Sequence, residues 1–186
     1  MDAAVKATAR KDAFARRKAA FLAAGAQDMV ARANDHMRAA LRPFAGQVLA
    51  GYMPMRTEID PLAAMHDHQG ALCVPVIIAA ATPLKFAAYF EGTKMQAGEF
   101  GALIPAKLAY LTPQVLIVPL LAYDARGYRL GYGGGFYDRT LAGLRARGPV
   151  TAIGFAFSAQ KMGEVPTDAT DQALDMIVTE NGILRF

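Results

Sequence analysis

Among 186 residues there is one cysteine, Cys73, no tryptophan and only three histidines. A lone cysteine can form neither an internal disulfide nor a cysteine-based zinc site, and His36, His66 and His68 have no partners at zinc-ligand spacing. Cys73 is read as a small core residue. No apolar run reaches the ~18 residues that cross a bilayer. The first residues alternate Ala with Lys and Arg where a secretory signal needs an unbroken apolar stretch. The expectation is a cytoplasmic chain with no membrane partner. Signature motifs are missing too: there is no Gly-x-Ser-x-Gly elbow, no Lys-Ser/Thr of a Walker A loop and no dinucleotide-type glycine spacing. No repeat or long linker is visible. With 54% hydrophobic and 19% charged residues, the chain is neither disordered nor low-complexity, and its length suits one domain.

The net charge of +4 is unevenly spread. Residues 1–42 carry nine Lys and Arg against four Asp and Glu, a balance of +5, and the remainder balances to −1. A distributed nucleic-acid-binding face would look different. The same 42 residues contain no proline and only Gly25, which predicts two helices broken near Gly25 and Ala26 and stopped by Pro43. On a helix Lys6, Arg10 and Arg17 fall within about 40° of one another, one basic stripe, with Phe14 and Phe21 beside it as a docking edge. Beyond Pro43, apolar runs at Val48–Tyr52, Leu72–Ile78, Leu84–Phe90, Val115–Leu121, Val150–Phe157 and Met176–Thr179 read as strands, with helices at Pro61–His68 and Phe136–Arg147. Strands this apolar belong to a sheet covered on both faces. The expected architecture is a single layered α/β domain over 1–186: a mostly parallel central sheet flanked by helices in 43–186, with the helical segment 1–42 packed on it.

Three constellations carry chemistry. After the strand ending Val118-Pro119 comes Arg129-Leu130-Gly131-Tyr132-Gly133-Gly134-Gly135-Phe136-Tyr137-Asp138-Arg139. Its glycines free backbone N–H groups at a helix start, a place for phosphate oxygens, and Arg129 and Arg139 bracket it as cationic clamps. A glycine-rich turn needed only for packing is the bland alternative. Asp138 can cap the helix or hold a magnesium ion. The basic stripe is the second constellation, lining a cleft, lying solvated or forming a nucleic-acid-binding helix, though no aromatic platform or recognition motif accompanies it. The third is Tyr52-Met53-Pro54 leading to Glu58 and Asp60-Pro61. Asp60 suits an N-cap, whereas Glu58 has no evident local duty and is the better candidate for a polar ligand. Asp168, Asp171 and Asp175 before the last predicted strand are turn residues or a second metal contact.

Taken together these stretches resemble the 5-formyltetrahydrofolate cyclo-ligases, also called 5,10-methenyltetrahydrofolate synthetases. The glycine-rich stretch is the most specific match. Lys6-x-x-x-Arg10, Tyr52-Met53-Pro54 with Glu58, Phe100-Gly101 with Pro105, Phe155-Ala156-Phe157 with Gln160, and Pro166 to Asp171 before Ile177-Val178-Thr179 follow in the same order along the chain. The resemblance implies ATP-dependent closure of 5-formyltetrahydrofolate to 5,10-methenyltetrahydrofolate, with ADP and phosphate released and magnesium as cofactor. It implies ATP contacts at Lys6, Arg10, Arg129, Gly131, Tyr132, Gly133, Gly134, Gly135, Phe136, Tyr137 and Asp138. Folate contacts would fall at Met53, Glu58 and Tyr132 to Phe136, catalytic roles at Lys6, Arg129 and Tyr132, and metal contacts at Asp138 and Asp171. A monomer acting on small molecules, with no nucleic-acid partner, is the corresponding expectation. Three positions depart from the family pattern: Phe136 stands for a usual Tyr, Ile104 for a usual Glu or Gln before Pro105, and Tyr89 or Phe90 for a common Trp. The change at Ile104 keeps open a second reading, a nucleotide-binding relative without folate turnover.

Overall fold

Two helices precede Pro43, α1 (Ala3–Leu22) and α2 (Ala26–Leu41), in the computed structural model, which describes residues 3–186. They part at Gly25, whose left-handed φ of 79° only glycine adopts without strain. The remaining elements, in chain order, are β1 (Leu49–Ala50), α3 (Leu62–His66), β2 (Leu72–Val76), β3 (Lys85–Tyr89), β4 (Met95–Ala97), β5 (Leu103–Pro105), β6 (Tyr110–Leu111) and β7 (Val115–Pro119). β8 (Ala122–Tyr123), β9 (Arg129–Leu130), α4 (Phe136–Arg145), β10 (Thr151–Phe155), β11 (Met176–Thr179) and β12 (Gly182–Arg185) complete the chain.

Eight strands form one sheet in the order β12-β11-β10-β7-β1-β2-β3-β6. The central five pair in parallel, and the pairings at both edges, β2 with β3, β3 with β6 and β11 with β12, are antiparallel. The predicted α/β architecture is therefore present, with two differences. The run at Leu84–Phe90 yields an antiparallel strand, and Met176–Thr179 is followed by one further strand instead of ending the sheet. Alternation along β7 shows why the sheet holds both layers: Val115 and Ile117 join the cluster beneath α2 with Met37 and Leu41, while Leu116 and Val118 meet Leu141 and Leu144 of α4 on the other face. Cys73 is fully buried in that second cluster, and burial pushes its thiol up to about 12, so it stays an unreactive apolar residue as expected. No described helix is long and apolar enough to cross a membrane.

The topology also positions a site. From β1 the chain passes through α3 to β2 on one side, and from β7 through α4 to β10 on the other. The adjacent strands β1 and β7 thus straddle a switch point, where a crevice opens beyond the carboxyl ends of parallel strands.

Candidate functional site

A cavity of about 1150 Å³ lies at that crevice. Its floor comes from segments leaving the strands: Tyr52, Met53 and Glu58 after β1, Ile77 after β2 and Pro119 at the end of β7. One wall is the glycine-rich stretch Gly131 to Gly135 with the first turn of α4. Lys6 and Arg10 of α1 and residues 168–172 close a second side, and the hairpin of β4 and β5 brings Phe100, Leu103 and Ile104 to a third. Two of the three non-glycine residues with left-handed backbone, Arg56 and Phe100, both at φ 56°, sit in this lining. Local strain concentrates at ligand-facing loops in this way.

The glycines are required by geometry. Gly133 has φ 101°, and a Cβ there would stand 3.2 Å from Arg10 Cζ; Gly135, at φ 63°, is the N-cap of α4. No side chain caps that helix, so its first N–H groups face the cavity unpaired by a cap, next to its partial positive end. Arg10 donates from Nε to the Gly131 carbonyl at 3.1 Å, which ties α1 to the loop. A Gly133→Ala variant should therefore weaken binding of a phosphate-bearing ligand about tenfold through strain at a positive φ and displacement of Arg10. Equilibrium titration with inorganic triphosphate checks this, and unchanged affinity would contradict it.

The carboxylates show a division of labour. Arg129, 8% exposed, donates from Nη1 to the Gln172 carbonyl at 2.6 Å and from Nη2 to Asp138 Oδ1 at 2.8 Å, while Asp138 Oδ1 also accepts the Gln172 N–H at 2.9 Å. This closed triangle pins β9, α4 and the 168–172 loop together. Lys6 Nζ lies 2.7 Å from Asp168 Oδ2 and 2.9 Å from Asp171 Oδ2, anchoring α1 across the cavity. Burial works against the Lys6 charge, but hydrogen bonds to the two aspartates outweigh it and raise its pKa. Asp168 is correspondingly held well below the usual carboxylate range, chiefly by Lys6 and then by Thr170.

Glu58, 5% exposed, is surrounded by donors. Its Oε2 accepts the Met55 N–H at 2.9 Å and its Oε1 accepts the Tyr132 hydroxyl at 2.8 Å, with Arg17 Nη1 at 3.7 Å from Oε1. The Met55 contact is a local duty that the sequence reading denied Glu58. Burial raises the Glu58 pKa against the pull of Met55, Tyr132 and Arg17. Burial, and then the Glu58 charge, push the Tyr132 phenol up to about 12, so it remains a donor. Tyr137 also lines the cavity, and its buried hydroxyl has no partner among the described residues.

Of the predicted site residues, Lys6, Arg10, Met53, Glu58, Arg129, Gly131 to Asp138 and Asp171 all line this one cavity. Arg17 does not. It is fully buried, which corrects the reading of the whole stripe as cleft-lining, and Phe21 remains 39% exposed instead of docking. Lys6 is paired with two aspartates, Arg10 meets a carbonyl and Arg17 is buried, so each residue of the stripe has a contact within the chain. The expected N-cap at Asp60 falls one residue early: Pro61 is the N-cap of α3, although Asp60 Oδ1 still accepts the Leu62 N–H at 2.8 Å. The strands of the apolar hairpin, β4 and β5, were not among the predicted elements, although Phe100-Gly101, Ile104 and Pro105 belong to the stretches that carry the resemblance.

Residues 2–180 match the sequence model of the 5-formyltetrahydrofolate cyclo-ligase family. The chain belongs to this family. The chain is 36% identical over 101 residues to the 5-formyltetrahydrofolate cyclo-ligase of Haemophilus influenzae, a match spanning 51% of this chain and 54% of that one. It is 31% identical over 158 residues to the 5-formyltetrahydrofolate cyclo-ligase of Mycolicibacterium smegmatis, over 77% and 79% of the two chains. The match thus covers about half the length of the first relative and most of the second. In fold the chain is similar to the NMR structure of the 5,10-methenyltetrahydrofolate synthetase of Aquifex aeolicus, with a TM-score of 0.73 at 25% identity, covering 97% of this chain and 92% of that one. The expected family and fold are therefore correct.

Proposed function

We propose that this cyclo-ligase closes 5-formyltetrahydrofolate to 5,10-methenyltetrahydrofolate at the expense of ATP, acting as a cytoplasmic monomer whose residues 1–186 form one domain. The observation that carries the reading is the joining, in one cavity, of a glycine and helix-terminus cradle to an apolar half floored by Glu58. The first half suits a triphosphate and the second a flat heterocycle with N–H donors. The two substrates then meet at Gly133 to Phe136.

In this reading the formyl oxygen attacks the γ-phosphorus, the bond to ADP breaks, and the formyl carbon becomes electrophilic. N10 bonds to that carbon, its proton leaves, and the carbon–oxygen bond breaks to release phosphate. Such chemistry asks the protein for alignment and charge neutralisation. The backbone N–H groups from Gly131 to Phe136, with Arg10 and Lys6, face the phosphates, while Arg129 holds the cradle and Asp138 in register. Glu58 accepts N–H groups of the pterin, Tyr132 orients Glu58, and Met53 with Phe100, Leu103 and Ile104 excludes water from the ring.

A magnesium ion fits this donor set. No group of three His, Cys, Asp or Glu able to hold a metal occurs among the described residues, but magnesium bound to a nucleotide needs only one or two carboxylates besides phosphate oxygens and water. Asp138 and Asp171 each use one carboxylate oxygen in the contacts above and keep the other for it. The ion would neutralise phosphoryl charge there.

The second reading rests on Ile104, which adds apolar wall where the family pattern has an amide or carboxylate. One assay separates the two. Purified protein with 5-formyltetrahydrofolate, ATP and magnesium should give a rise in methenyl-folate absorbance that needs all three. ATP binding without that rise would favour the inactive relative.

A further inference from the structure

Arg17 is the largest fully buried side chain whose charge the proposed chemistry leaves unused. It comes from the middle of α1 and lies at 0% exposure. Its Nε donates to Thr57 Oγ1 at 3.1 Å, and neither Nη1 nor Nη2 has a hydrogen-bond partner among the described residues. The guanidinium carbon sits 5.3 Å from the Phe14 ring centroid and 5.4 Å from that of Tyr132, and those rings meet edge to face at 5.3 Å. Beyond Tyr132 stands Glu58. A guanidinium stripped of water and given one hydroxyl is costly to maintain unless its charge serves a neighbour. The neighbour in reach is the carboxylate on the cavity floor.

We propose that Arg17 is a positioning residue for folate recognition: from behind the cavity it keeps Glu58 ionised and Tyr132 seated, without touching either substrate. The inference rests on the cyclo-ligase reading of the cavity. At 3.7 Å, with no hydrogen bond, Arg17 supplies charge to Glu58 without filling a lone pair of Oε1, which stays available to a ligand. Its π faces clamp the ring whose hydroxyl orients the same oxygen. Thr57, the residue before Glu58, fixes the plane of the fork through Nε.

The titratable groups facing Glu58 are Arg17 from α1, Tyr132 from the glycine loop, Tyr52 after β1, Tyr137 from α4 and Arg56 from its own loop. Arg17 and Arg56 are the cations in this set, and Arg17 is the buried one. Losing it should raise the pH at which Glu58 takes up a proton.

The test is equilibrium binding of 5-formyltetrahydrofolate, followed by fluorescence across pH, alongside steady-state kinetics. Wild-type protein that binds and turns over folate validates the cavity reading independently; wild type that does neither overturns that reading whatever Arg17 does. Given an active wild type, Arg17→Met should move the acid limb of folate binding up by roughly one to three pH units. It should raise the folate KM at least tenfold while the ATP KM stays within about twofold. Arg17→Lys, which keeps the charge, should restore most of the limb position. In a Glu58→Gln background, adding Arg17→Met should cost no further folate affinity. If Arg17→Met does not fold, Thr57→Val, which frees the fork with the charge retained, should still raise the folate KM selectively. An unmoved limb, equal rises in both KM values, or additive losses in the double variant would overturn the proposal.

Discussion

Arg129→Ala is expected to lower kcat by about a hundred- to a thousandfold, the scale seen when a charge-stabilising group is lost from a reaction centre. The geometry adds a stability effect that sequence reasoning did not foresee. Without the guanidinium, Asp138 Oδ1 keeps only the Gln172 N–H and the Gln172 carbonyl loses its donor. Asp138 is partly open to water, so the cost is a discounted version of breaking a buried ion pair, about 2 kcal/mol. Urea denaturation measures that part, and methenyl-folate absorbance measures the other. Arg129→Lys should recover stability only in part, because one ammonium cannot span a carbonyl and a carboxylate as the fork does. Near-normal turnover in Arg129→Ala would remove this residue from the chemistry.

Glu58→Gln should raise the folate KM by roughly ten- to a hundredfold with little change for ATP, as expected for losing hydrogen bonds to a charged acceptor. The pH profile gives an independent check. Burial raises the Glu58 pKa, so its folded value lies above its unfolded one. The stability associated with the protonated form is fully present below the unfolded value and is lost as pH rises through the folded one. For the proposed binding the sign is opposite, since there it is the ionised form that would accept the pterin N–H groups. Folate kcat/KM should fall on acidification at a pH above the ordinary glutamate value, and in Glu58→Gln that limb should disappear. A limb that persists would assign it to another group.

Much of the site was legible in the chain because its chemistry is local. Four glycines in five residues before a helix constrain their own backbone, and φ 101° at Gly133 and 63° at Gly135 are consequences of adjacent residues, not of distant packing. Asp60-Pro61 marked the start of α3 to within one residue for the same reason. Long apolar runs placed the central strands, but the two-residue strands β6, β8 and β9 were invisible, since so short a segment has no period to read. Helical spacing put Lys6, Arg10 and Arg17 on one stripe, yet spacing says nothing about what lies opposite. Lys6 meets Asp168 and Asp171, Arg10 meets a carbonyl, and Arg17 meets Thr57 and two rings.

From sequence alone follow the family, the sheet with helices on both faces, the phosphate-type loop and the set of residues around it, because each is written in contiguous stretches. The tertiary structure decided which charges face the cavity and which serve behind it. Arg129 became a pin as well as a cation, and Arg17 left the cleft for the core. Glu58 gained two donors, Met55 and Tyr132, and a buried cation, Arg17, at 3.7 Å. Those assignments depend on burial and on pairings between residues up to 165 positions apart, where desolvation makes a charge costly unless a partner stands beside it.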